Sequence, residues 1–129
     1  MAQRVLEQLA HHNFGLWNQA LLSGQPKRVA GLYHLKATLH PTLMGEIKKG
    51  PKEIEEYFKH FLTKNPQSEI VEEEIVGLDS DYYLHLGIYR FYLKTAKQRE
   101  VVLARFTFVW QKNQKREWKI LHHHSSLMP

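Results

Sequence analysis

The residues of this sequence that could do chemistry are concentrated near its C-terminus, where His122, His123 and His124 stand in a row. Imidazole groups can bind an anion, move a proton or ligate a metal ion near neutral pH. Side chains along a strand alternate between the two faces of a sheet, so His122 and His124 share one face and His123 lies on the other. The role of these residues therefore depends on which face is turned toward the core.

The pairing of the last two strands decides that orientation. A hairpin turn at Asn113–Gln114 predicts four pairs on one face: Trp110 with Trp118, Phe108 with Ile120, Phe106 with His122, and Ala104 with His124. Because this face is strongly apolar, we expect it to face the core and to hold His122 and His124 as the polar floor of a hollow. A β-bulge would exchange the two faces, since a shift of one residue inverts every side chain.

Two interpretations of the inward histidines remain open. They bind an anion or act as acid and base in a pocket, or they are core histidines whose nitrogens are satisfied by hydroxyl and carbonyl groups. The predicted pocket residues are His122, His124, Tyr89, His85, Tyr57 and Trp17. For Trp17, ordinary core packing is the favoured explanation. A metal ion would need a third ligand, for which His85 is a candidate, and we expect no metal centre.

The opposite face predicts a contact between subunits. Arg105 interrupts an apolar strand. Burying a guanidinium group without a partner is costly, so it needs a carboxylate, a ligand or a neighbouring subunit. Apolar side chains around it suit self-association. The predicted interface residues are Arg105, His123, Leu121, Val109 and Leu103.

Composition restricts the remaining possibilities. The chain has 129 residues, 43% of them hydrophobic, no cysteine, and a formal net charge of +5. This size suits one domain over residues 1–129, and the lack of cysteine excludes disulfides, thiolate metal sites and cysteine nucleophiles. The basic residues lie in separate loops, and no nucleic-acid-binding module, membrane span, signal peptide or nucleotide-binding motif is apparent. We expect a cytoplasmic protein without a cofactor, a nucleic-acid partner or membrane attachment.

Hydrophobic periodicity predicts helices followed by strands. Apolar positions recur at three- and four-residue spacing over residues 3–23 and again after Gly50-Pro51, which predicts two amphipathic helices with a shorter one near Pro26. Strands are predicted near 33–39, 69–78, 82–94, 100–112 and 117–126. This order indicates an α+β fold in which a curved antiparallel sheet wraps around a long N-terminal helix and shorter helices.

Five segments of the chain resemble a known family: WNQALLSGQPKRVAGLYHLKATLHPT, IEEYFKHFL, GIYRF, ARFTFVW and WKILHHHSSLMP. They are similar to the NTF2-like superfamily and, within it, to bacterial domains related to the association (hub) domain of calcium/calmodulin-dependent protein kinase II. The most specific part is the closing Trp followed by His-x-His and a final Pro. The resemblance implies a cone-shaped fold of this type and self-association into a homodimer or a larger ring.

The resemblance is incomplete at the ligand pocket. The kinase hub has two pocket arginines, whose matching positions here are Phe108 and Ser125, so its carboxylate-binding pocket is not implied. His122 and His124 match the two histidines of the hub. We therefore expect a homo-oligomer with a pocket for a small molecule, an anion being one candidate. The alternative is a small cofactor-independent isomerase or dehydratase that uses a pocket histidine as acid and base.

Overall fold

A six-stranded sheet curves around the helices in the computed structural model, which describes all 129 residues. The elements in chain order are α1 (Gln3–Leu22), α2 (Pro26–Ala30), β1 (Tyr33–His40), β2 (Lys48–Lys49), α3 (Gly50–Phe61), a 3₁₀ turn (Leu62–Lys64), β3 (Gln67–Asp79), β4 (Tyr82–Lys94), β5 (Arg99–Lys112) and β6 (Trp118–Leu127). The predicted α+β class is confirmed. None of the helices combines the length and the apolarity that crossing a bilayer requires.

Local chemistry explains where α3 begins and which side it buries. Gly50 adopts a φ of 77°, a conformation that glycine tolerates best, and Pro51 occupies the first turn, where its missing N–H costs nothing. The backbone N–H of Lys49 donates to the carboxylate of Glu53 at 2.9 Å. The buried face of α3 carries Ile54 and Phe58, which pack on the inner face of the sheet.

The strands lie in the order β2-β1-β6-β5-β4-β3, and one pairing differs from the predicted antiparallel sheet. β1 runs parallel to β6, with Thr38 opposite His122 and His40 opposite His124. A parallel neighbour cannot be recognised from a hairpin pattern, because the two strands are far apart along the chain. This pairing brings His40 beside the C-terminal histidines.

The predicted register between β5 and β6 is wrong. Trp110 pairs with Ile120 and Val109 with His122, so Leu121 is the extra residue of a β-bulge. Beyond the bulge, Phe108 pairs with His123 instead of Ile120. The hairpin loop is also longer than a two-residue turn, because the first pair of the hairpin is Lys112 with Trp118.

The bulge exchanges the faces of the three histidines. His123 points inward and is 3% exposed, whereas His122 and His124 lie on the outer face with Thr38 and His40. The expectation that His122 and His124 floor the hollow, and that His123 lies outside, is therefore incorrect. An inserted residue restarts the alternation of side chains, and periodicity alone does not reveal it.

Aromatic side chains fill most of the space between α1 and the sheet. Trp17 of α1 stacks on Tyr89 with ring planes 8° apart and meets Phe108 edge-on. Phe14 contacts Phe106 and Phe108 one turn earlier. These large buried rings pack the helix against the sheet, together with aliphatic residues of α1.

Candidate functional site

His123 lies at the centre of a chain of buried polar groups. Its Nδ1 atom is 2.9 Å from the hydroxyl of Tyr33, and its Nε2 atom is 3.2 Å from the hydroxyl of Tyr89. The indole N–H of Trp17 donates to the Tyr33 hydroxyl at 3.1 Å. Two tyrosines and a tryptophan from α1, β1 and β4 therefore hold one imidazole of β6 in a fixed orientation.

The series of buried hydrogen bonds continues from Tyr89 toward the loop after β1. The Tyr89 hydroxyl donates to Ser125 Oγ at 2.6 Å, and Ser125 Oγ is 2.6 Å from Thr42 Oγ1. Because the Trp17 indole can only donate, the hydrogen bonds have one consistent order from donor to acceptor. Tyr33 donates to Nδ1 of His123, and Nε2–H of His123 donates to Tyr89. This assignment places the imidazole proton on Nε2.

Burial keeps His123 neutral. Loss of solvation, reinforced by the nearby His122 and His124, lowers the pKa of His123 to about 3. Burial likewise raises the pKa of Tyr33 and of Tyr89 above their ordinary values. Since both imidazole nitrogens are already hydrogen-bonded, His123 has no free nitrogen with which to exchange a proton with a substrate in this arrangement.

Two cavities lie next to this polar chain. The narrow one has a volume of about 10 Å³, room for a single water molecule, and is lined by Trp17, Leu39, Pro41, Thr42, Tyr57, Phe58, Phe61, Tyr89, Phe91, His123 and Ser125. The open one measures about 980 Å³ and lies between α3, the loop after β1 and the ends of β4 to β6. Thr42, Tyr57, Phe61 and Phe91 line both cavities, so the polar chain ends beside the open cavity at Thr42.

The open cavity is mainly apolar with a few charged groups. Its apolar lining includes Leu43, Phe61, Phe91, Val102 and Leu127, and its charged lining includes Lys48, Lys64, Glu56 and Glu100. A large concave surface of this composition suits a small molecule that has an apolar body and a polar group. Tyr57 contributes a half-buried ring to it, and burial raises the pKa of that tyrosine to about 12.

The predicted pocket residues divide into three groups. Tyr57, Tyr89 and Trp17 line the narrow cavity, and Tyr57 also lines the open one. His85 faces inward but lies apart from both cavities, with its Nε2 atom 2.7 Å from Glu73 Oε1. His122 and His124 lie on the outer face, so neither reaches the cavities from its observed position.

Sequence reasoning did not select Tyr33, Thr42 and His40. Tyr33 and Thr42 join the buried chain from β1 and the following loop, and His40 meets the outer histidines with ring centroids 5.2 Å from His122 and 5.0 Å from His124. All three depend on the parallel β1–β6 pairing. The HP sequence at residues 40–41 indicated only the end of a strand.

Most of the predicted interface residues do lie on the outer face. Leu103, Arg105 and Val109 alternate with the buried residues of β5, and the exposed Arg105 makes no ion pair or side-chain hydrogen bond within the chain. Leu121 is half-buried at the bulge. His123 is the exception, because it belongs to the core.

The sequence and the fold both match known proteins. Residues 7–129 match the family described as the calcium/calmodulin dependent protein kinase II association domain. The chain belongs to this family. An association-domain structure from Xanthomonas campestris is 40% identical, with a TM-score of 0.87, and the match covers 90% of this chain and 83% of that one.

More distant structures share the fold of this association domain. An NTF2-like superfamily protein from Salmonella enterica is 15% identical over 99% of this chain and 94% of that chain, with a TM-score of 0.83. A ketosteroid isomerase-like protein from Erwinia carotovora is 15% identical over 92% of this chain and 93% of that chain, with a TM-score of 0.76. No curated protein matches the sequence. Identities this low establish the NTF2-like fold and carry no activity with them.

Proposed function

We propose that this association domain forms a homo-oligomer through the outer face of β4 and β5. The observation that carries the proposal is an apolar surface around an unpaired arginine, the β4–β5 patch, made of Leu84, Leu86, Ile88, Leu103, Arg105 and Val109. Membership of an association-domain family supports the same conclusion. A two-fold dimer brings the same patch of each subunit together and removes its apolar side chains from water.

Charge on the outer face favours a second copy as the partner. Glu72 of β3 is in register with Ile88, which is in register with Arg105, so the carboxylate and the guanidinium stand two strands apart on one surface. The two backbones are roughly 10 Å apart at the usual strand spacing. Neither Glu72 nor Arg105 makes an ion pair within the subunit, so both charged groups are available to a partner. In a two-fold dimer, Arg105 of each subunit can meet the acidic β3 edge of the other, where Glu74 also lies.

Sedimentation velocity on untagged protein tests the assembly. We expect a dimer or larger species at micromolar concentration, and dissociation in Arg105→Glu and Leu86→Asp. Lys97→Glu makes the same charge change in the exposed loop between β4 and β5 and should leave the assembly intact. A monomeric wild type, or equal effects of Arg105→Glu and Lys97→Glu, would contradict the proposal.

We further propose that the open cavity binds a small molecule with an apolar body and an anionic group. Its apolar walls and the ammonium groups of Lys48 and Lys64 support this ligand class. Lys48 lies 3.4 Å from Glu46, whereas Lys64 makes no ion pair within the chain. Lys64 is therefore the stronger candidate for contact with an anion.

The fluorescent apolar anion 8-anilinonaphthalene-1-sulfonate provides a direct probe of this cavity. Lys64→Glu should weaken its binding several-fold, while Lys59→Glu, an exposed change on the neighbouring helix α3 that lies outside the cavity, should not. Equal affinities for the wild type and both variants would rule out the anionic preference. Both substituted lysines lie outside the β4–β5 patch, so neither variant changes a residue of the proposed subunit contact.

A further inference from the structure

Three histidines meet on the outer face of the sheet, away from both cavities. The ligand atoms of His40, His122 and His124 all lie within 4.8 Å of one another. His40 comes from β1, and the other two come from β6, two residues apart on the same face. The parallel register places His40 directly opposite His124, so the backbone itself holds the cluster together.

We propose that His40, His122 and His124 form a binding site for a zinc-type divalent metal ion. Three neutral imidazoles are a ligand set that zinc accepts, with a fourth position left for water or another ligand. In tetrahedral zinc sites the nitrogen atoms lie about 3.4 Å apart, so modest side-chain rotation closes the cluster. His124 is exposed and has the freedom to make that movement.

The surroundings of His122 resemble the supporting shell of a metal site. Its Nδ1 atom is 2.6 Å from Thr38 Oγ1, which leaves Nε2 for the metal ion. Metal-binding histidines usually hydrogen-bond a second group through their other ring nitrogen, because this bond fixes the tautomer and the ring orientation. Thr38 is therefore assigned as a positioning residue.

His40 carries a further polar atom without a partner. Its Nδ1 atom is buried and makes no hydrogen bond within the chain. Buried polar atoms are satisfied in most folded proteins, and an unpaired one marks a position where a ligand or water belongs. The metal site also differs from the sequence-based candidate, because His85 lies on the opposite face of the sheet and bonds to Glu73.

Titration of metal-free, untagged protein with Zn²⁺ in a calorimeter tests this site, and Co²⁺ absorption reports its coordination geometry. We expect one ion per chain and a tetrahedral Co²⁺ spectrum. His124→Ala should weaken Zn²⁺ binding by at least about 10-fold, and Thr38→Val should weaken it about 10-fold while one ion per chain still binds. His12→Ala removes an exposed histidine of α1 and should change nothing.

Several outcomes would overturn the assignment. Binding that survives in His124→Ala and His40→Ala, or that is lost equally in His12→Ala, would show adventitious coordination by surface histidines. An unchanged affinity in Thr38→Val would contradict the positioning role of that hydroxyl. His124 is exposed, so its variant should fold normally, and a thermal melt without metal checks each protein before titration.

Discussion

The phenolic oxygen of Tyr89 lies 2.6 Å from the hydroxyl oxygen of Ser125, where the buried polar chain turns from the core toward the open cavity. Tyr89 is completely buried, and its ring stacks on Trp17. The same hydroxyl therefore satisfies both Ser125 and Nε2 of His123 inside an aromatic core. This one residue links the apolar packing of the domain to its internal polar groups.

Removing that hydroxyl should destabilise the domain. Tyr89→Phe removes the hydrogen-bond partner of His123 Nε2 and one of the partners of Ser125 Oγ. We therefore expect the free energy of unfolding to fall by about 1–3 kcal/mol. Tyr92→Phe is the matched control, because Tyr92 is exposed and its hydroxyl reaches only the surface carboxylate of Glu69. Urea denaturation followed by circular dichroism measures both changes, and similar losses would show that the buried chain contributes nothing specific.

Acid should destabilise the domain partly through His85. Burial lowers the pKa of His85 below 6.5, although Glu73 opposes this shift. Below pH 6.5 the unfolded chain binds a proton at His85 more readily than the folded chain does. The stability that neutral His85 contributes is therefore fully present above pH 6.5 and is lost as the pH falls toward the lower pKa of the folded state. His85→Gln keeps a hydrogen-bond donor and should lose less unfolding free energy than the wild type between pH 7.5 and pH 5.0.

The control for that measurement is His12→Gln, an exposed histidine without a hydrogen-bond partner in the chain. Its unfolding free energy should follow the wild-type pH dependence. If His85→Gln and the wild type lose equal stability on acidification, His85 does not contribute to the acid sensitivity. Urea titrations at the two pH values give the comparison directly.

Gly87 should tolerate no side chain. A Cβ atom at this position would overlap the backbone carbonyl of Glu72, beside the irregularity where β3 shifts register. Gly87→Ala should lower the unfolding free energy by about 1–3 kcal/mol or more, because backbone must move. In contrast, Gly15 lies inside α1 with open space around it, and Gly15→Ala should stabilise the domain by about 0.5–1 kcal/mol. Thermal denaturation distinguishes the two substitutions by sign.

Self-association should weaken as salt rises. If Arg105 meets the acidic β3 edge of a second subunit, screening at 1 M salt, where charges interact over only about 3 Å, should raise the dissociation constant several-fold. Arg105→Gln should associate less tightly at low salt and show a smaller salt dependence. Sedimentation equilibrium at two salt concentrations measures both proteins, and an identical salt response would assign the effect to other charges.

The sequence by itself determined most of the secondary structure. Amphipathic spacing located α1 and α3, and period-two stretches located the four long C-terminal strands to within two residues at each end. These features are local, because each depends on which side of one element meets water. The family resemblance was also readable from the chain, since its most specific motif lies in β6 and the two residues that follow it.

Only the tertiary structure decided what the histidines do. One extra residue, Leu121, turned His123 into the core and left His122 and His124 outside, and a strand eighty residues away brought His40 to them. A bulge and a parallel pairing depend on the combined packing of β1, β5 and β6, whereas the pattern of each strand remains the same in either register. Long-range packing therefore determines which face of the sheet each histidine lies on, and that face determines which groups its imidazole can contact.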